Sequence, residues 1–145
     1  MKEENCVKIE FPSRSANEGF ARAAAASFAA QLDPTLDEVN DVKTAVSEAV
    51  TNCIVHAYPD CVGAVYLRLR ILGSDILQIT VRDRGRGIED VEAARQPLFT
   101  TGGEERSGMG FTIMESFMDG VRVRSSPGRG TTVTMTRRIK GRNSR

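Results

Sequence analysis

The chain has 145 residues, with 20 Lys and Arg against 19 Asp and Glu, a formal charge of +1. That length is enough for one buried core, and the balanced charge excludes a protein whose main work is gripping nucleic acid, which needs a cationic field. No apolar run approaches the ~20 residues that cross a bilayer, and no apolar stretch follows Met1-Lys-Glu-Glu-Asn5, so no membrane contact and no signal peptide are expected.

In chain order, Val7, Ile9 and Phe11 alternate with polar residues and predict a strand with one buried face, ended by Pro12. Ser15-Ala-Asn-Glu18 is a capping-box pattern opening an Ala-rich helix to about Leu32. Asp33-Pro34 breaks it, and Thr35-Leu-Asp-Glu38 opens a longer helix to about Ala57. Its apolar side carries Leu36, Val39, Val42, Val46, Val50 and Cys53. Val65, Leu67, Leu69 and Ile71 predict a half-buried strand, Gly73-Ser-Asp75 a hairpin turn, and Leu77, Ile79 and Val81 a second strand whose inward face continues to Asp83. A short helix is expected near Asp90–Arg95, another over Met109–Met118, and strands over Val121–Val123 and Thr131–Thr136. Arg137 to Arg145 reads as a frayed basic tail. With no linker or repeat, the expectation is one domain over 1–145. Its fold class is α+β: a two-layer sandwich with a mixed, mostly antiparallel sheet and helices over one face. Cys6, Cys53 and Cys61 are odd in number and lack metal spacing, which suits incidental thiols in a reducing cytoplasm.

Three segments carry chemistry. On the long helix, Glu48, Asn52 and His56 are four apart and share a face beside the apolar stripe. An Asn oxygen is a hard, neutral ligand suited to Mg²⁺, and a Glu one turn earlier is placed to accept a proton. Asp83 ends an apolar strand face, where a carboxylate needs a donor such as the exocyclic amine of adenine. Gly85 and Gly87 let the backbone turn closely beside a base. Arg106-Ser107-Gly108-Met109-Gly110-Phe111 opens a helix, and glycines there let its unpaired N–H groups face phosphates, with Arg106 adding charge. Thr100, Thr101 and Gly102-Gly103 fit a lid over nucleotide, and the Thr131 hydroxyl fits the far side of the base. Each segment has an ordinary alternative: a solvated helix face, an Asp-Gly turn, an exposed loop. Together, in this order, they describe an ATP pocket. The chain has no Gly-x-x-x-x-Gly-Lys-Ser/Thr loop and no Val-Ala-Ile-Lys.

This pattern resembles the ATPase family of gyrase B, Hsp90, histidine kinases and MutL. More closely, the chain is similar to the anti-sigma F factors of spore-forming bacteria, small serine protein kinases. The likeness runs from about Phe11 to Thr132 and is carried by Phe20-Ala-Arg22, Gln31-Leu-Asp-Pro-Thr35, Ser47-Glu-Ala-Val-Thr-Asn52, Glu92-Ala-Ala-Arg-Gln-Pro-Leu-Phe-Thr-Thr101 and Arg106-Ser-Gly-Met-Gly-Phe-Thr-Ile-Met-Glu115. The resemblance implies that Asn52 holds Mg²⁺ and that Glu48 is the general base for a protein serine. It implies that Asp83 binds adenine with Gly87 and Thr131, and that Thr100 and Thr101 form the lid. Ser107, Gly108, Gly110 and Phe111 would surround the phosphates, Arg106 would reach the terminal phosphate, and Arg22 would dock partners. It further implies a homodimer that holds sigma F factor with ATP bound and phosphorylates the anti-anti-sigma factor. The alternative is an ATP-gated sigma-binding module with little or no kinase activity. Three departures stand out: Gly102-Gly103 replaces Lys-Pro in a lid one residue shorter, His56-Ala57-Tyr58 replaces His-Gly-Tyr, and the C-terminal tail differs and is assigned no role.

Overall fold

The computed structural model describes residues 1–96 and 110–142. Strict alternation of branched apolar with polar residues over Ala64–Leu72 (β2) and Ile76–Asp83 (β3) makes two strands with one wet and one dry face. They pair antiparallel with Leu67 opposite Val81 and Val65 opposite Asp83. Glu3–Pro12 (β1) adds to the free edge of β2, with Val7 opposite Leu69. Gly130–Arg138 (β5) lies beside β3, with Val81 opposite Val133 and Asp83 opposite Thr131, and Gly120–Ser126 (β4) closes the other edge.

The order is β1-β2-β3-β5-β4, the expected two-layer α+β sandwich, and its mostly antiparallel sheet is antiparallel in every described pairing. The reason lies in the connections. A parallel pair needs a single crossover. Two helices, Ala16–Ala29 (α1) and Leu36–Asn52 (α2), separate β1 from β2, so the chain returns to the end it left and runs back.

The helices cover one face. Val65, Leu67, Leu69, Leu77, Ile79, Val81 and Met135 are fully buried against Val42, Val46 and Val50 of α2 and Met114 of Gly110–Phe117 (α4). Ala21 and Ala25 let α1 approach closely, and α2 sits between α1 and α4. A short helix, Val91–Ala94 (α3), is capped by Asp90, whose Oδ1 accepts from Ala93 N at 3.0 Å. Among the described residues no helix is long and apolar enough to cross a membrane.

Several local expectations change. Leu36 is 82% exposed, because the first residue of α2 precedes the turns that reach the sheet. Val7, on the edge strand, is exposed as well. The Thr35–Glu38 capping box forms: Thr35 is extended, accepts from Glu38 N, and donates its own N–H to Glu38. The Ser15–Glu18 box does not form. Ser15 is already helical (φ −56°, ψ −32°), so its hydroxyl cannot fold back as a cap. Glu18 instead accepts from Ser47 Oγ at 2.7 Å and pairs with Arg22 at 3.0 Å, tying α1 to α2.

The tail is also different from expectation. Arg137 and Arg138 belong to β5, Ile139 is buried, and Lys140 and Gly141 donate their N–H groups to the Glu38 carboxylate at 2.7 and 3.1 Å. Arg142 N reaches Asp33 O at 2.8 Å. The chain therefore stays docked on the start of α2 as far as Arg142. Burial alone would raise the Glu38 pKa, but the backbone donors of Thr35, Lys140 and Gly141 together outweigh it and hold the carboxyl below its usual value.

A group lowered in the folded state stabilises above its unfolded pKa, and that stability is lost as pH falls through the folded pKa. Replacing Glu38 by Gln is therefore expected to cost about 2 kcal/mol at neutral pH, the size of charged hydrogen bonds lost. The gap to wild type should shrink as the medium is acidified below the usual glutamate range. Urea unfolding of both proteins across pH checks this.

Candidate functional site

The site begins where β3 ends. Asp83 stands on the same face as the buried Val81, and is itself 5% exposed. Its Oδ1 accepts from Gly85 N at 2.9 Å and from Thr131 N at 3.2 Å. Among the described residues the one donor to Oδ2 is the Cys53 thiol, at 3.6 Å. Burial pushes the Asp83 pKa up, the three donors pull against it, and the net shift is upward. Cys53 is a neutral thiol, since burial first and the nearby Asp83 charge second push its pKa well above the ordinary value.

The end of α2 is shaped to meet this carboxylate. The helix widens into a π-turn over Cys53–Ala57, closed by Tyr58 N donating to Cys53 O at 3.1 Å. Ala57 O then accepts from Arg86 N at 3.1 Å, which clamps the glycine loop to the helix end. Gly85 lies so close to Ala57 that any Cβ would run into its carbonyl. Gly85 thus seats the loop on the helix and does not line the cavity, contrary to the expectation that it faces a base. Gly87 does line it. Its φ of +76° and its contact with the Ser126 carbonyl leave no room for a side chain. Tyr58, given no role by the sequence, accepts from Arg84 N at 2.6 Å and donates to Ala64 O at 2.7 Å.

Above Asp83 lies a cavity of about 590 Å³, within the range of small-molecule sites. Ala49, Val81, Ile88 and Val133 supply apolar wall, while Asn52, Asp83, Gly87, Gly110, Phe111 and Thr131 stand around it. Thr131 Oγ1 lies 2.8 Å from Ser125 Oγ, which accepts from Ile88 N at 2.8 Å. Ser125 faces Thr131 across the β4–β5 hairpin, so its role was recoverable from the register around Pro127-Gly128.

At the far end, α4 begins against α2. A Cβ built on Gly110 would stand 3.3 Å from Asn52 Oδ1 and 3.6 Å from Glu48 Oε1. The polar row expected on α2 therefore meets the helix start expected to hold phosphates, and His56 lines the same cavity. Glu48 also borders a shallow cleft of about 470 Å³ shared with Arg22, Lys43 and Ser47. Arg22 and Glu48 thus share one groove. Among the described residues no cluster of three His, Cys, Asp or Glu side chains is placed to hold a metal. Thr100, Thr101, Arg106, Ser107, Gly108 and Met109 lie outside the described residues.

The histidine kinase-like ATPase domain matches residues 11–137. The chain is 58% identical to the anti-sigma F factor of Caldanaerobacter subterraneus subsp. tengcongensis, over 99% of both chains. It is 56% identical to the anti-sigma F factor of Bacillus subtilis, over 93% of each. Among solved structures, its fold resembles the RsbU and RsbW domains of Rv1364c from Mycobacterium tuberculosis, with TM-score 0.68, 21% identity and coverage of 93% of this chain and 32% of that one. It also resembles the mycobacterial sensor histidine kinase MprB, with TM-score 0.60, 15% identity and coverage of 92% and 98%.

Gly85→Ala tests the clamp. The added methyl has to displace the Ala57 carbonyl, at a cost of about 1–3 kcal/mol. Thermal melting should show a lower midpoint, even though no side chain in the cavity has changed.

Proposed function

The chain belongs to the histidine kinase-like ATPase domain family and, within it, to the anti-sigma F factors, and from that premise we propose that it is an ATP-dependent anti-sigma factor and protein serine kinase. In this reading it binds ATP over Asp83, holds the sporulation sigma F factor of RNA polymerase inactive, and phosphorylates a serine of the anti-anti-sigma factor. It works in the cytoplasm as a homodimer.

The observation that carries the reading is the half-satisfied Asp83 carboxylate in an apolar cavity. Oδ1 is taken by two backbone donors, and Oδ2 has only a thiol. A purine fits the apolar wall and its amine offers Oδ2 the donor it lacks. Gly87 gives the base close access to backbone, and Thr131, steadied by Ser125, borders it from the next strand.

The triphosphate then points to the start of α4, where unpaired N–H groups and the helix dipole favour anions. Asn52 Oδ1, beside Gly110, suits Mg²⁺ as a hard, neutral oxygen. When bound, that ion supplies charge neutralisation for the transferring phosphoryl group. Glu48 receives the proton of the attacking serine hydroxyl, which enters along the groove that also holds Arg22. In this reading Thr100 and Thr101 serve the lid, and Ser107, Gly108, Met109, Gly110 and Phe111 serve the phosphates. Arg106 stabilises charge on the terminal phosphate.

Two variants probe the reading. Glu48→Ala should lower phosphorylation by about 10²–10⁴-fold, the usual worth of a general base, and leave ATP-dependent sigma capture intact. The mass of the anti-anti-sigma partner after incubation with Mg-ATP reads out transfer. A partner of unchanged mass with wild type instead favours the ATP-gated binding module. Asp83→Asn should weaken ATP binding about tenfold in calorimetry. As pH falls through the raised pKa of Asp83, Oδ2 gains a proton and loses its acceptor role, so wild-type affinity should drop while the Asn variant lacks that limb.

A further inference from the structure

Cys53 stands on the wall of the nucleotide cavity with its sulfur between two acceptors. Sγ is 3.6 Å from Asp83 Oδ2 and 3.5 Å from Ala49 O, one helical turn back. A thiol carries one proton, so it can serve only one of them at a time. The proton is retained, because burial and the Asp83 charge disfavour the thiolate. The Asp83 oxygen it reaches is the one that the adenine reading leaves for the base.

We propose that Cys53 is a positioning residue for the base: its S–H holds Asp83 Oδ2 while that oxygen has no better donor, then turns to the Ala49 carbonyl when an exocyclic amine takes its place. This rests on the adenine reading of the cavity. The thiol suits the task for a physical reason. A buried carboxylate oxygen with no donor is costly, and an apolar side chain at this position leaves it bare. A strong donor satisfies it and competes with the base. A thiol is a weak donor, enough to orient the carboxylate and easily displaced by an N–H bonded to a charged oxygen. After displacement the Ala49 carbonyl receives the S–H, so no buried group is stranded.

Such a donor tunes selectivity for purines that carry an amine. With ATP, the S–H bond to Oδ2 is exchanged for an amine bond. With purine riboside triphosphate, which lacks the amine, the thiol stays in place. Removing the thiol leaves Oδ2 bare in the free protein and in the complex with the amine-free nucleotide, but not in the ATP complex. Cys53→Ala is therefore expected to raise the ratio of ATP affinity to purine riboside triphosphate affinity roughly threefold, the margin by which a weak S–H bond to a charged oxygen exceeds one to the Ala49 carbonyl. A residue that merely packs changes both affinities alike.

A direct readout uses a protein whose other two thiols are removed by Cys6→Ser and Cys61→Ser, so that the infrared S–H stretch reports Cys53 alone. The band should sit low without nucleotide, where the acceptor is charged, rise on saturation with ATP, and stay low with purine riboside triphosphate. In a wild type that prefers ATP, either a band unmoved by ATP or a ratio unchanged by Cys53→Ala overturns the role of Cys53 and leaves the adenine reading standing. A wild type that binds the two nucleotides equally overturns the adenine reading and the role of Cys53 with it.

Discussion

Asp83 puts a carboxylate at the end of a strand whose other inward residues are Leu77, Ile79 and Val81, in a place where water has almost no access. Burying such a group is unfavourable unless its oxygens find donors. The surrounding loops are built around that demand. Gly85 bends the chain so that its own N–H returns to Oδ1, and β5 aligns so that Thr131 N reaches the same oxygen. Gly130, at φ +90°, lies against the Asp83 carbonyl where no side chain fits. Once Oδ1 is fixed, Oδ2 is left facing the Cys53 thiol on the cavity wall.

The long helix α2 does two jobs with one sequence. Val42, Val46 and Val50 pack on the sheet, and the neighbouring face carries Glu48 and Asn52 to the start of α4. Both faces follow from the helical repeat, so moving the polar row requires moving the core. The π-turn after Asn52 changes the repeat only where the helix ends. That widening lets Ala57 O take Arg86 N and brings the helix end, the glycine loop and the strand tip together.

Periodicity made most of this legible. The alternations in β2 and β3, the stripe on α2 and the Thr35–Glu38 cap are local patterns, and they appear where the residues place them. What was not legible depends on contacts between distant segments. Ser15 and Glu18 have cap spacing, but Ser47 on another helix offers Glu18 a better partner. The basic tail looked solvated until Glu38, a hundred residues earlier in sequence, supplied acceptors for Lys140 and Gly141. Cys53 read as one more core residue because the Asp83 oxygen that faces it lies on another element. Gly85 read as cavity lining because its partner, Ala57, lies on the unexpected π-turn.

Glu38 and Asp83 separate structure from function more sharply than any motif. Both are buried to the same 5% exposure. Both oxygens of Glu38 accept backbone N–H groups, and the pKa falls despite burial. Asp83 has backbone donors on one oxygen and a thiol on the other, and its pKa rises. A carboxylate with a backbone N–H on each oxygen has little left to offer a ligand. A carboxylate with one oxygen left to a weak donor beside a cavity keeps an acceptor in reserve, and a guest with an N–H can complete it. The two carboxylates have three donors each and differ in their kind: Glu38, at the start of α2, has only backbone N–H groups, whereas one oxygen of Asp83, at the tip of β3, has only a thiol.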